Sequence, residues 1–267
     1  MQKENIFTII TITYNSAKYL EQTIESVLNQ TFKGIEYIIV DGGSDDGTLD
    51  IIKKYGSRVT RWISEKDKGI SDALNKGIAM ASGDFIGIIH ADDWLEKDAV
   101  ETVFNAFKNT GADVVCGKIK YWLNENPDYI FASDPAKLDK EMTVNHPSVF
   151  IKNEVYQKYG IFDLKYKYAM DYDLLLRLKT RGLKFVTLDR VIANMRLEGA
   201  SDKNWRKALY EAYLIKICHG VDAGEALRYY IWQNIRSAIS RFLKAAGLES
   251  VVSFYRKHFS ILKKERN

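Results

Sequence analysis

The chain has 267 residues, 46% of them hydrophobic, and a formal net charge of +4, which suits one large α/β domain or one domain with an appendage. Two distant cysteines, Cys116 and Cys218, exclude a disulfide framework and match no zinc spacing, so a reducing cytosolic compartment is expected. Residues 204–267 carry 12 Lys or Arg against 5 Asp or Glu, a balance of +7 that leaves −3 for the rest; a basic excess confined to a tail argues against nucleic acid and for an anionic membrane surface.

In chain order, Ile6 to Thr13 predicts a strand and Ala17 to Gln30 a helix, through Leu20, Ile24, Val27 and Leu28. No signal peptide is read at the start, and no apolar run is long enough to span a bilayer. Ile35 to Val40 is a second strand, followed by a turn and a helix near Thr48 to Tyr55. Val59 to Ser64 gives a third strand, Ile70 to Met80 a helix, and Phe85 to Ile89 a buried fourth strand that ends at Asp92-Asp93. Alternating strands and helices imply parallel crossovers and a Rossmann-like, doubly wound, mostly parallel sheet.

Beyond Asp93 the pattern loosens. It gives a helix from Glu96 to Asn109, a strand at Asp113 to Val115, a hairpin or extended excursion from Gly117 to Phe131, and loop at Pro135 to Asp139. Then come a strand at Ser148 to Ile151, a helix from Asn153, a Leu-rich helix ending at Arg181-Gly182, and two strands, Phe185 to Leu188 and Val191 to Met195. The expected division is 1–117, 118–201 and a basic helical region, 202–267. In that tail Ile231, Ile235, Ile239 and Phe242 form one stripe, with Arg228, Arg236, Arg241 and Lys244 interspersed. Such a helix lies on a membrane, packs on the main domain or pairs with a second copy.

Four segments carry chemistry. Thr11-Ile12-Thr13-Tyr14-Asn15 ends a strand just before a helix, where polar groups and free amides suit a nucleotide base or ribose, although Asn15-Ser16 also reads as a plain cap. Asp41-Gly42-Gly43-Ser44-Asp45-Asp46-Gly47-Thr48 also follows a strand. Its first Asp is placed to accept from a base or sugar, its glycines admit close backbone approach, and Asp45, Asp46 and Gly47 read as turn and cap. Neither a Walker nor a dinucleotide fingerprint fits. In Asp67-Lys68-Gly69-Ile70-Ser71-Asp72-Ala73-Leu74-Asn75-Lys76-Gly77, Lys68 at a helix start suits phosphate, and Asp72 shares a face with Asn75; a solvated, capped helix is the alternative. Asp92 and Asp93 offer hard oxygen ligands for a divalent cation, or else cap a helix starting near Trp94.

In this order, with His90-Ala91-Asp92-Asp93 as the fourth motif, the chain resembles family 2 glycosyltransferases of the GT-A fold, strongly over about the first hundred residues and more weakly to about Ser201. The resemblance implies an inverting transfer from a UDP-sugar. It places Asp41 on the uracil, Asp92 near the ribose and Asp93 on Mn2+ or Mg2+ at the diphosphate, a metal that stabilises charge on the leaving group. It also aligns Asp171, in Met170-Asp171-Tyr172-Asp173, with the base that takes the acceptor hydroxyl's proton; Asp173, roughly 200° further around a helix, cannot face the same cleft. His146 matches a family histidine near the diphosphate or metal. Processive members carry Gln-x-x-Arg-Trp and several membrane helices, both absent from this chain. Arg196-Leu197-Glu198-Gly199-Ala200-Ser201 falls where single-addition relatives have a glycine-and-serine loop. The implied product is therefore one sugar added to a saccharide acceptor, polyprenyl-diphosphate-linked, for O antigen, capsule or exopolysaccharide, at the cytoplasmic face of the inner membrane. A nucleotidylyltransferase is the rival enzyme, but the glycine-rich basic loop it uses is missing between Ile6 and Asn15; a non-catalytic scaffold would lack Asp93 or Asp171, and both are present.

Overall fold

The computed structural model describes residues 7–123, 125–197, 204–248 and 264–265. Ile6, Glu198 to Ser201 and the side chain of Lys244 lie outside the described residues.

Four parallel strands form the centre of the sheet: β3 (Arg61–Ser64), β2 (Ile35–Asp41), β1 (Phe7–Thr13) and β4 (Phe85–Ile88), side by side in that order. All seven residues of β1 are buried, which is why the strand reads as a continuous apolar and Thr run instead of an alternating one. Its odd positions, Phe7 and Ile9, join Tyr37 and Ile39 under α1 (Leu20–Leu28), α2 (Thr48–Tyr55) and α4 (Ala99–Thr110). Its even positions, Ile10 and Ile12, join Ile38 and Val40 under α3 (Ile70–Met80) and α6 (Met170–Thr180). Two apolar layers thus sandwich the strands, and the chain ends at their carboxyl edges face neither core.

Beyond β4 the sheet turns antiparallel through β8 (Phe150–Lys152) to β6 (Val114–Leu123), which makes the expected hairpin with β7 (Asn126–Phe131). β6 crosses position 117, so the two halves expected from the sequence share a strand. The two strands expected after residue 184 are one, β9 (Phe185–Arg196), parallel to β6 with two register shifts. Trp94–Leu95 do not begin a helix. They form β5, antiparallel to the end of β9, and α4 starts only at Ala99. This pairing drags the far end of β9 across to the Asp92-Asp93 turn. Short 3-10 turns occupy Pro135–Lys137, expected as loop, and His146–Ser148, ahead of β8 and α5 (Asn153–Tyr159).

The tail is helical as expected, with α7 (Trp205–Cys218) and α8 (Ala223–Ala245). Ile215 of α7 enters the core beside α6. Among the described residues no helix is long and apolar enough to cross a membrane.

Candidate active site

The carboxyl edge of the parallel strands is a lattice of loop hydrogen bonds. Asp41, fully buried at the end of β2, accepts from the backbone amides of Gly43 and Ser44, both at 3.0 Å, and from the hydroxyls of Ser44 and Ser64. One carboxylate therefore shapes the turn after β2. Asn15, in the left-handed region at φ 48°, donates its backbone amide to Ser44 Oγ and accepts from the Asp45 amide. Asp46 accepts from Thr48 and from the Ala17 amide, the turn role its sequence suggested, and the Thr48 bonds hold its carboxyl below the usual range. The loops after β1 and β2 consequently behave as one wall.

That wall has a hollow. A Cβ on Gly42 would fall 2.6 Å from Asp67 Oδ2 and 3.3 Å from the Tyr14 ring, so glycine there keeps open the space between an aromatic ring and a carboxylate. Tyr14 is 63% exposed. Asp67 Oδ1 is fixed by the Gly69 amide at 2.8 Å. An exposed ring next to an acceptor is suited to a nucleotide base.

Several expected contacts sit elsewhere. Thr11 is wholly buried and its hydroxyl pairs with Tyr37 at 3.0 Å, so it belongs to the core beneath the strand end and not to the cleft. Thr13, two residues on, keeps a buried hydroxyl with no partner among the described residues. Lys68 is exposed, and its backbone amide donates to Asp72 Oδ2, which also pairs with Lys76 at 3.5 Å. That amide bond is the main cause holding the Asp72 carboxyl low. Asn75 does not face the cleft: it exchanges both hydrogen bonds with the Phe162 backbone.

Asp92 and Asp93 differ in exposure. Asp93 is 2% exposed, whereas Asp92 is half-buried and its carboxylate receives no hydrogen bond from the described residues. Burial, then the neighbouring Asp92 charge, pushes the Asp93 carboxyl well up, against a weaker pull from Arg196. Two imidazoles lie close, with ring centroids 5.8 Å apart. His90 Nε2 and His146 Nδ1 are buried without a hydrogen-bond partner among the described residues. Burial lowers both, His146 to about 3 with a contribution from His90, so both rings are neutral and keep a lone pair. A desolvated carboxylate beside a second one, only partly offset by Arg196, favours a further positive charge. No cluster of three or more His, Cys, Asp or Glu suited to metal exists among the described residues; the residues fit a cation that brings its remaining oxygen ligands with a diphosphate.

Arg196, the last residue of β9, closes this corner. Its backbone amide donates to Asp93 Oδ1 at 3.2 Å, and its guanidinium donates to the Asp92 carbonyl and to Gln22 Oε1, both at 2.6 Å. The guanidinium also lies over the Tyr19 and Trp94 rings, 4.1 and 4.6 Å from their centroids. Sequence reasoning assigned no role to Arg196, Asp67 or His90. Asp67 and His90 stood inside quoted motifs, but Arg196 is about a hundred positions from the aspartates it holds.

Asp171 stands in the first turn of α6. Its Oδ1 accepts from the Tyr172 amide at 2.8 Å, and burial pushes its carboxyl up to about 6. Asp173 points the other way, to His219 Nε2 at 2.9 Å and Arg177 at 3.5 Å. The structure thus offers an exposed ring beside an acceptor, a buried carboxylate paired with Asp92, and, at the start of α6, a carboxylate of raised basicity.

The family model described as Glycosyl transferase family 2 matches residues 8–173. Chondroitin synthase of Pasteurella multocida is 34% identical over 197 residues, covering 70% of this chain and 20% of that protein. The first curated relatives are thus much longer, and the chain spans about a fifth of each. Among solved structures, Staphylococcus aureus TarS 1-349 in complex with UDP-GlcNAc aligns with TM-score 0.64 at 16% identity, over 96% of this chain and 76% of that one. The mannosyltransferase PcManGT of Pyrobaculum calidifontis, in complex with GDP-Man and Mn2+, aligns with TM-score 0.62 at 16% identity, over 97% and 82%. The fold is therefore GT-A, shared with these transferases.

Proposed function

This chain belongs to glycosyl transferase family 2, and on that premise we propose that it transfers one sugar, with inversion, from a UDP-sugar to a saccharide acceptor. The observation that carries the reading is Asp93, a buried carboxylate at the carboxyl edge of the parallel strands, placed against Asp92, with burial and that neighbouring charge outweighing the pull of Arg196.

Tyr14 supplies a face for the uracil, and Gly42 and Asp67 form the edge it abuts; Asp41, expected on the uracil, is fully buried and instead holds the turn behind that edge. Asp92, open on its carboxylate side, suits the ribose; Lys68 supplies positive charge near the phosphates. Asp93 would hold Mn2+ or Mg2+, with His146 and His90 contributing a lone pair or a hydrogen bond to metal or diphosphate. When bound, the metal neutralises charge on the departing diphosphate. Asp171 accepts the acceptor hydroxyl's proton as that oxygen bonds to the anomeric carbon. The bond from that carbon to the diphosphate oxygen breaks on the opposite face, and UDP leaves with the electron pair. A base raised to about 6 is ionised at neutral pH yet binds a proton better than an ordinary carboxylate.

The acceptor we infer is a lipid-linked saccharide in cell-surface polysaccharide synthesis, met at the cytoplasmic face of the inner membrane. Support comes from α8, where Ile231, Ile235, Ile239 and Phe242 are 50 to 72% exposed on one stripe. Arg236 is not part of that face: it binds Glu141 Oε1 at 3.3 Å and stacks on Trp232. Pairing of the same stripe with a second copy would make a homodimer instead.

The test is UDP release from UDP-glucose, UDP-galactose, UDP-GlcNAc and UDP-GalNAc, with Mn2+ or Mg2+ and with chelator. Metal-dependent release with one donor, reduced at least about a hundredfold by Asp93→Ala, is expected. Unchanged release in Asp93→Ala would overturn the assignment.

A further inference from the structure

We propose that Glu211, on the C-terminal helix α7, is a positioning residue for Asp171; the inference rests on Asp171 being the base. α6 starts without a side-chain cap of its own, because its N-cap is Ala169. A helix start leaves amides that need acceptors. Glu211, 42 residues downstream, supplies one for the N-cap amide of Ala169 and binds the two amides that lead into it. Its Oε2 accepts from the amides of Tyr168 at 2.8 Å and Ala169 at 2.9 Å, and both its oxygens lie within 3.1 Å of the Lys167 amide.

Three consecutive amides ending two residues before Asp171 are therefore gathered by one carboxylate. The negative charge also sits where the helix macrodipole favours it. On the other side of Asp171, Asp173 is bound by His219, the residue that ends α7. α7 thus grips α6 at 167–169 and at 173, and Asp171 lies between the two grips. A base that is held from both sides by another helix keeps a fixed distance from the acceptor oxygen, and displacement of about 1 Å can cost a hundredfold in rate. The tail, in this reading, is part of the catalytic apparatus through its first helix, whatever its second helix touches.

The experiment is a double-mutant cycle on the full chain, read as kcat and donor KM for metal-dependent UDP release from the preferred UDP-sugar of the four-donor panel. Amide hydrogen exchange over 165–172 is measured alongside. Glu211→Ala is expected to lower kcat at least tenfold, leave donor KM within about twofold and speed exchange at 167–169. In the Asp171→Asn background, Glu211→Ala is expected to cost nothing further, whereas a purely structural loss would add to it. Should Glu211→Ala fail to fold, Glu211→Gln, which keeps the size and one acceptor oxygen, is read in the same cycle with a smaller loss of the same non-additive kind. A slow Asp171→Asn with a wild-type rate in the Glu211 variant, or full additivity, overturns the positioning role alone. A wild-type rate in Asp171→Asn overturns the base assignment, and the positioning role with it.

Discussion

At the scale of single residues, chemistry here is set by environment more than by residue type. The chain has 35 Asp and Glu, yet burial pushes Asp93 well up and Asp171 up to about 6, while amide donors hold Asp72 low. For Asp171 the sign follows directly. Its folded-state value exceeds the unfolded one, so the folded chain binds the proton better and stability declines as pH rises from about 4 through about 6. The ionised base, conversely, exists only above about 6. The kcat for UDP release should therefore fall about tenfold per pH unit below 6. Asp171→Asn should lose about 10² to 10⁴ of kcat with no loss of Tm at pH 7. A flat profile from pH 5 to 8 would remove Asp171 from the base role. In the sequence, Asp171 was singled out by the family resemblance, and helical geometry added only that Asp171 and Asp173 cannot both face one cleft. What sequence could not supply was the reason the two differ: His219 and Arg177 claim Asp173, and neither claims Asp171.

At the scale of elements, the strands that follow the βαβ pattern were legible, and the ones that break it were not. Ile35–Asp41 and Phe85–Ile88 announce themselves as apolar runs bounded by turn residues. Trp94–Leu95 did not, because a two-residue strand has no period, and its identity depends on a partner, Ala193 and Asn194, far along the chain. That short pairing decides the site: it ends the helix-cap reading of the aspartate pair and delivers Arg196 to it. The guanidinium makes hydrogen bonds in two directions and stacks between Tyr19 and Trp94, a combination that a lysine ammonium cannot reproduce. Arg196→Lys is expected to raise donor KM about tenfold while altering Tm by only a few degrees. A donor KM equal to wild type, from the same UDP-release assay, would show that the corner is held without it. The expected Asp72 and Asn75 face failed for a related reason. Helical spacing does put the two side by side, but Asn75 is drawn to the Phe162 backbone and Asp72 to the Lys68 amide.

At the scale of the whole molecule, two halves and a tail are tied into one body by long-range contacts. β6 and β9 pair along almost their full lengths. Lys216 of α7, 3% exposed, donates to the Lys140 carbonyl at 2.6 Å and lies over the Tyr229 ring, fixing both tail helices to the acceptor side. Burial lowers Lys216 from its ordinary value of 10.5 to about 8, so the unfolded chain holds the proton better and stability falls as pH drops from about 10.5 to about 8, levelling off below that. The outer stripe of α8 remains exposed, and Ile235→Asp with Ile239→Asp should abolish sedimentation with vesicles containing anionic lipid, with Tm unchanged. Undiminished sedimentation would point the stripe to a protein partner. By itself, the sequence determined the alternation of strands and helices, the strand-end placement of Asp41, Asp92 and Asp93, and the family, since all are local patterns of period, turn and motif. Only the tertiary structure decided that Thr11 lies in the core, that Arg236 faces inward, that Arg196 and Asp67 border the site and that Glu211 reaches the start of α6. Each of these depends on which distant group meets a side chain, and spacing along a chain does not encode that meeting.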